Sequence, residues 1–225
     1  MEERGRNLEA VCFIENGVAS IMATTGGGQR RYAEVASIGR EGMTGLALVL
    51  GSNRSSYEAV MQVDGSGQCL TADELRFAMA RSASLTAQLS RYAYAFSVQA
   101  SNAALANALG TIEERLARWL LMAHDRADSD RLPVTHELIS NLLGVRRAGI
   151  TIALDHFVKQ HLIEKSRGSV CVVDRDGLEK RSNGLYGVAE REYARLLPAG
   201  YWSGQNGIAP SASRVDGSDI AGQYG

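Results

Sequence analysis

The sequence predicts an α+β protein in which antiparallel strands come first, one long helix follows, and a winged helix-turn-helix closes the ordered part. Three observations predict it. Short apolar runs broken by Gly and Asn fill Val11 to Leu70, a seam of apolar and small residues runs from Ser84 to about Leu109, and Val134 to Val173 spells helix, glycine turn, helix and hairpin.

In the last segment Thr135 is placed to cap the free amides near Leu138, and Leu138, Ile139, Leu142 and Leu143 recur at helical spacing. Gly144 supplies the left-handed residue that ends the helix, with Val145 under the corner. The next helix buries Ile150, Ala153, Leu154, Phe157 and Val158 and leaves Arg146, Arg147, Gly149 and Thr151 near its start on other faces. Paired arginines at an exposed amino end suit a recognition helix: one guanidinium can take guanine O6 and N7 together while the other clamps phosphate. A hairpin, Glu164 to Val173, turns at Ser166, Arg167 and Gly168 and carries Arg167 to its tip. Thr135, Asn141, Arg146, Arg147, Thr151 and Arg167 are therefore the candidate DNA contacts. An ordinary helical corner is the plainer alternative, against which the wing and both arginines weigh.

The runs THELISNLLGVRRAGIT and LIEKSRGSVCVVDRDGLE, with IEERLARWLLMAHDR ahead of them, resemble the DNA-binding half of the Crp/Fnr superfamily of bacterial transcription regulators. The resemblance covers roughly Val11 to Arg195 and is strongest in the carboxyl half. It implies an amino-terminal β-roll sensor, with GREGMTGL at Gly39 to Leu46 standing where the family carries its ligand loop, and the roll's first strands missing because the chain starts late. Such a start is expected to leave a sheet edge unpaired. One departure concerns the target. An acidic residue follows the recognition arginine in well-known members, whereas Ala148 follows Arg147 here, so their half-site is not carried over.

The predicted organisation is a truncated sensor at 1–82, a dimerisation helix at 83–110, the winged helix-turn-helix at 111–182 and a largely disordered tail at 183–225. Thr71 to Glu74 and Thr111 to Glu114 each read as a capping box that opens a helix. Between them Leu85, Leu89, Tyr92, Phe96, Gln99 and Ala103 repeat in steps of four and three, a heptad seam that wants a partner. A second copy is the expected partner; packing of the same residues on the protein's own strands is the alternative, and small side chains such as Ala100 and Ala104 suit it equally.

Composition bounds the rest. With 225 residues, 45% of them hydrophobic, the chain can bury one good core or two modest ones, and no apolar run approaches the roughly eighteen residues of a membrane span. No secretory signal is evident at the start, so a cytoplasmic protein without a membrane partner is expected. Cys12, Cys69 and Cys171 form no clustered motif and read as small hydrophobes, so no metal site is expected. The net charge is −1, yet Leu132 to Arg181 holds eight Lys and Arg against six Asp and Glu, a mild excess that suits a dimer on two half-sites.

A cyclic-nucleotide pocket of the resembled kind needs a glutamate for ribose and an arginine for phosphate, for which Glu41 and Arg54 are the candidates. The loop between them is long and apolar, and the expectation is no cofactor, with a cyclic nucleotide or another small effector as the lesser alternative. No catalytic residue is assigned. His136 and Glu137 begin what looks like a zinc-protease motif, but Ser140 holds the second histidine position, and GREGMTG lacks the lysine and threonine of a phosphate loop. The leading expectation is a homodimeric, sequence-specific transcription regulator on palindromic double-stranded DNA, with RNA polymerase a further candidate partner. The competing one is a sensor-impaired interaction protein that pairs with related regulators and does not bind DNA itself.

Overall fold

The computed structural model describes residues 2–26 and 32–197. Gly26 to Gly28, where three successive glycines favour a turn, run into the first gap, and the Gly/Ser-rich tail beyond Leu197 lies outside the described residues.

Strands β1 (Ala10–Ile14), β2 (Val18–Thr24), β3 (Tyr32–Ile38), β4 (Glu58–Val63) and β5 (Gly67–Thr71) build the amino-terminal unit, with the short helix α1 (Leu46–Val49) between β3 and β4. The run CFIENGVASIMATT, expected as strand, is broken at Asn16 and Gly17, where Gly17 takes φ 85°. The two halves enter different sheets: β1 pairs antiparallel with β5, while β2 lies between β3 and β4. Ala19 and Ile21 on one face of β2 join Ile14, Ala36, Ile38 and Ala59 in the interior of this unit. On the other face Met22 packs into the core of the carboxyl half. One sheet thus serves two cores, as period-two alternation allows.

Cys12 and Cys69 are directly opposed between β1 and β5 and form a disulfide across 57 residues of sequence, which corrects their reading as isolated hydrophobes. Sequence spacing carried no sign of this pairing, because the register of two strands is a tertiary outcome. Cys171 is a free, half-buried thiol.

Thr71 caps α2 (Ala72–Arg81) with the expected capping box, and Ser82 caps the long α3 (Ala83–Leu109). The heptad stripe of α3 faces its own chain, which corrects its assignment to a dimer seam. Leu89, Tyr92, Gln99 and Ala103 are buried in the single chain, and Leu85 and Phe96 pack at the edge of the same core. Two polar members show why. The amide oxygen of Gln99 accepts from the backbone N–H of Ser37 at 2.7 Å, and its nitrogen donates to the Tyr193 hydroxyl at 3.4 Å. Tyr92 accepts from the N–H of Met43 and donates to its carbonyl, both at 3.2 Å. Buried polar groups need such partners, and β3 and the loop after it provide them.

A second capping box, at Thr111, opens α4 (Ile112–Arg126). Beyond it come β6 (Arg131–Leu132), α5 (His136–Leu143), α6 (Arg147–Lys159), β7 (Ile163–Ser166), β8 (Ser169–Val172) and α7 (Arg175–Arg181). Leu116, Leu120, Ile139, Ile150, Leu154 and Phe157 are fully buried in the core that these elements share. Strand β6 adds a third strand to the hairpin in the order β6-β8-β7.

The tail expectation also needs correction, since residues 183–197 are ordered and contain α8 (Val188–Leu196), which lies along α3. Tyr193 is 1% exposed, its ring 6.2 Å from that of Tyr92. An apolar stripe on so short a helix is easily missed beside the Gly/Ser-rich run that follows it. Replacing Tyr193 with Ala should lower stability by about 3 to 4 kcal/mol, the range for emptying a buried aromatic site, read as a fall in the urea midpoint at unchanged slope.

Candidate nucleic-acid interface

The interface is built on α5 and α6. The Thr135 hydroxyl accepts from the N–H of Leu138 at 3.1 Å, so this candidate contact serves first as the cap of α5. Gly144 ends α5 in the left-handed region at φ 63°, and the Val145 N–H returns to the Ser140 carbonyl at 3.0 Å. The turn that results sets α6 at once across α5, with Arg146 as its first, non-helical residue.

Arg146, Arg147 and Ala148 are exposed at the open end of α6. Thr151 is half-buried, and its hydroxyl bonds the His136 ring at 3.0 Å and the Arg147 carbonyl at 3.2 Å, so it ties the two helices together. Burial, with Lys165 and Arg147 nearby, pushes the His136 pKa below its usual value. Sequence reasoning missed Ile152, which is 57% exposed one turn beyond Ala148. Its place two residues after Ile150, off the apolar stripe of the helix, was its only signal in the sequence. The exposed Ile152 side chain suits contact with a thymine methyl.

Arg167 stands exposed at the tip of the β7–β8 hairpin beside Gly168, which has φ 74°. Two further residues hold this wing in place. Arg131 donates to the hydroxyls of Ser166 and Ser169 at 2.7 and 3.0 Å, and Lys165 pairs with Asp155 on α6. Asn141 is exposed but stands apart from the arginine face, in an open groove between the α5–α6 corner and Thr24, Tyr32 and Ala33 of the β2–β3 hairpin.

The two candidate ligand residues do not converge. Arg54 donates to the carbonyl of Gly5, at 3.0 Å from Nε, and borders a cavity of about 400 Å³ under α1 and α3 that Glu41 does not line. Glu41 is instead buried against Arg126 at the end of α4: the Arg126 Nε donates to a carboxylate oxygen at 2.8 Å, and the Gly39 N–H donates at 3.1 Å. Burial pulls the Arg126 pKa down, but the facing carboxylate outweighs it and the net shift is upward. The glycines of this loop are explained by packing. A Cβ at Gly39 would come within 2.9 Å of the Arg126 side chain, and one at Gly42 within 2.4 Å of the Tyr92 hydroxyl. Among the described residues no cluster of His, Cys, Asp and Glu is placed to hold a metal ion, and no helix is long and apolar enough to cross a membrane.

Residues 114–181 match the family model of the Crp-like helix-turn-helix domain. Among solved structures, FixK2 from Bradyrhizobium japonicum aligns with a TM-score of 0.69 at 17% identity, over 80% of this chain and 91% of that one. TTHB099, a CRP-family transcriptional regulator from Thermus thermophilus, aligns with a TM-score of 0.65 at 18% identity, over 82% of this chain and 93% of that one. The c-di-GMP-responsive regulator CLP from Xanthomonas campestris aligns with a TM-score of 0.56 at 17% identity, over 76% and 87% of the two chains. No curated protein matches the sequence. The chain carries a Crp-like helix-turn-helix domain at residues 114–181 and shares the fold of these regulators.

Glu41→Gln should destabilise the protein by about 3 to 5 kcal/mol, because it strands the Arg126 charge in the interior. The double replacement Glu41→Leu with Arg126→Met should cost less than either change alone, a difference that urea denaturation of the three variants reads directly.

Proposed function

We propose that the protein is a sequence-specific DNA-binding transcription regulator that works as a cytoplasmic homodimer. The observation that carries this reading is the exposed face of α6, where Arg146, Arg147 and Ile152 stand free of the core beside a braced wing. Arg146 and Arg147 supply guanine and phosphate contacts, Ile152 an apolar contact, and Arg167 reaches the flanking backbone. Thr135 and Thr151 support this face as the cap of α5 and the tie between the two helices, while Asn141 lies apart from it. RNA polymerase is a candidate partner of the DNA-bound form.

The second copy is proposed to pair along the outward face of α3. Ala87, Tyr94, Val98, Ser101 and Leu105 recur there in steps of seven, four, three and four, with Tyr94 55% and Leu105 46% exposed. This seam is offset from the inward stripe, so one helix packs on its own chain and on a partner. Small residues allow close approach, and the heptad period keeps two such helices in contact over their length. A dimer of this kind sets two recognition helices in successive major grooves, with half-sites about 34 Å apart.

Selection of bound sequences from a random duplex pool should yield an imperfect palindrome. In the Arg146→Ala/Arg147→Ala variant discrimination should drop by about 1 to 3 kcal/mol for each base that is no longer read. A folded dimer that enriches no sequence would favour the interaction-protein reading instead. Tyr94→Glu should convert the dimer to monomer in sedimentation at micromolar concentration while leaving the single-chain fold intact, because that side chain touches no core.

A further inference from the structure

Between the sheet and the carboxyl-terminal unit lies a cavity of about 270 Å³ that α6 does not line and whose wall includes Arg126, the partner of Glu41. Its floor is β2 and β3, its walls are α4 and the start of α5, and the turns at Gly17 and Asp64 close one end. Ser20 and Ser37 are direct partners across β2 and β3, and the register then slips, so that Ile21 faces Ala36 while Met22 faces Glu34. The extra residue, Val35, packs into the interior of the sensor. That bulge turns Glu34 to the face that carries Ser20 and Ser37, a re-aiming that regular alternation would forbid.

The polar groups gathered there are incompletely matched. Ser37 is 5% exposed and lines the cavity, yet its hydroxyl has no hydrogen-bond partner among the described residues. A buried hydroxyl without a partner is costly, and a ligand can remove that cost. Glu34 accepts from the Ser20 hydroxyl and borders the cavity. Burial lifts its pKa above the usual carboxylate range despite Ser20, Arg118 and Arg126.

The surrounding charges favour a cation. Arg126 is held by Glu41, Arg40 by Asp128, and Arg118 sits near both Glu34 and Glu190. Asp64 at the rim adds a further acid, so five carboxyl groups stand against three guanidiniums, with burial raising the pKa of two of the five, Glu34 and Glu190. The opposite wall is apolar, with Trp119, Met122, Val134 and Leu138.

We propose that this cavity is a binding site for a small arylalkylamine, its ammonium donating to Glu34 and Ser37 and its ring lying on Trp119 and Met122. An ammonium between a carboxylate and a hydroxyl makes charge-assisted hydrogen bonds, and an aromatic body fits a wall closed by Trp119. Because Glu34 and Ser37 belong to the sheet whereas Trp119, Val134 and Leu138 belong to the DNA-binding unit, a bound amine joins the two. That regulatory consequence rests on the proposed DNA-binding function; the binding does not.

The test uses the full chain with Trp202→Phe, which leaves Trp119 as the only tryptophan, and 2-phenylethylamine as the probe. Trp119 fluorescence should change saturably, calorimetry should give one site per chain, and 2-phenylethanol, which has the same skeleton without the charge, should bind about tenfold more weakly. Glu34→Gln should weaken the amine by a similar factor. Ser37→Ala removes a hydroxyl that supports nothing in the fold, so it should weaken binding without lowering stability. Absence of saturation, equal affinity for the alcohol, or undiminished binding in both variants would overturn the site. A protein that binds the amine but selects no DNA sequence would leave the site standing and defeat the regulator reading alone.

Discussion

The ion pair between Glu41 and Arg126 holds the two halves of this protein in one arrangement. Both side chains are almost wholly out of solvent, at 2% and 1% exposure, and the carboxylate takes further N–H donation from Gly39. An isolated charge at either position would be expelled or neutralised. The pair therefore fixes the loop after β3 against the last turn of α4, where a cation also meets the negative end of the helix. From α4 the constraint passes to the winged unit, whose core α4 shares with α5 and α6.

The same constraint explains the double duty of α3. With the loop pinned, Met43 meets Tyr92 and Ser37 meets Gln99, and the inward stripe of the helix is spent on its own chain. Tyr193 on α8 closes this layer from the other side. In the proposed dimer the partner takes the outward stripe, which contributes little to the single-chain core. A helix that is apolar or small on two faces fits burial on two sides.

Position relative to the junction separates the parts that are braced from those that are free. The exposed face of α6 and the wing tip project from a unit in which α7 is tied to α4 by Arg175 to Asp125 at 2.6 Å and by Arg181 to Glu113. The cavity behind Trp119 lies where the sheet and this unit meet. In the proposed dimer, a molecule bound there would act on their relative placement, the variable that sets the spacing of the two α6 helices.

The sequence by itself determined the elements that depend on near neighbours. Capping boxes at Thr71 and Thr111, the Thr135 cap and the left-handed Gly144 each involve groups within a few residues, and each forms as the sequence predicts. The exposed arginines of α6 were legible for the same reason: a buried face at helical spacing leaves the remaining face by subtraction. Tertiary structure alone decided the rest. Two heptad-spaced stripes run along α3, and only the placement of Ser37, Met43 and Tyr193 selects which one is buried. Glu41 looks the same in sequence whether it meets a ligand or Arg126, 85 residues away. The Cys12–Cys69 bond and the bulge at Val35 depend on strand register, which is fixed by pairing between distant segments and not by local propensity.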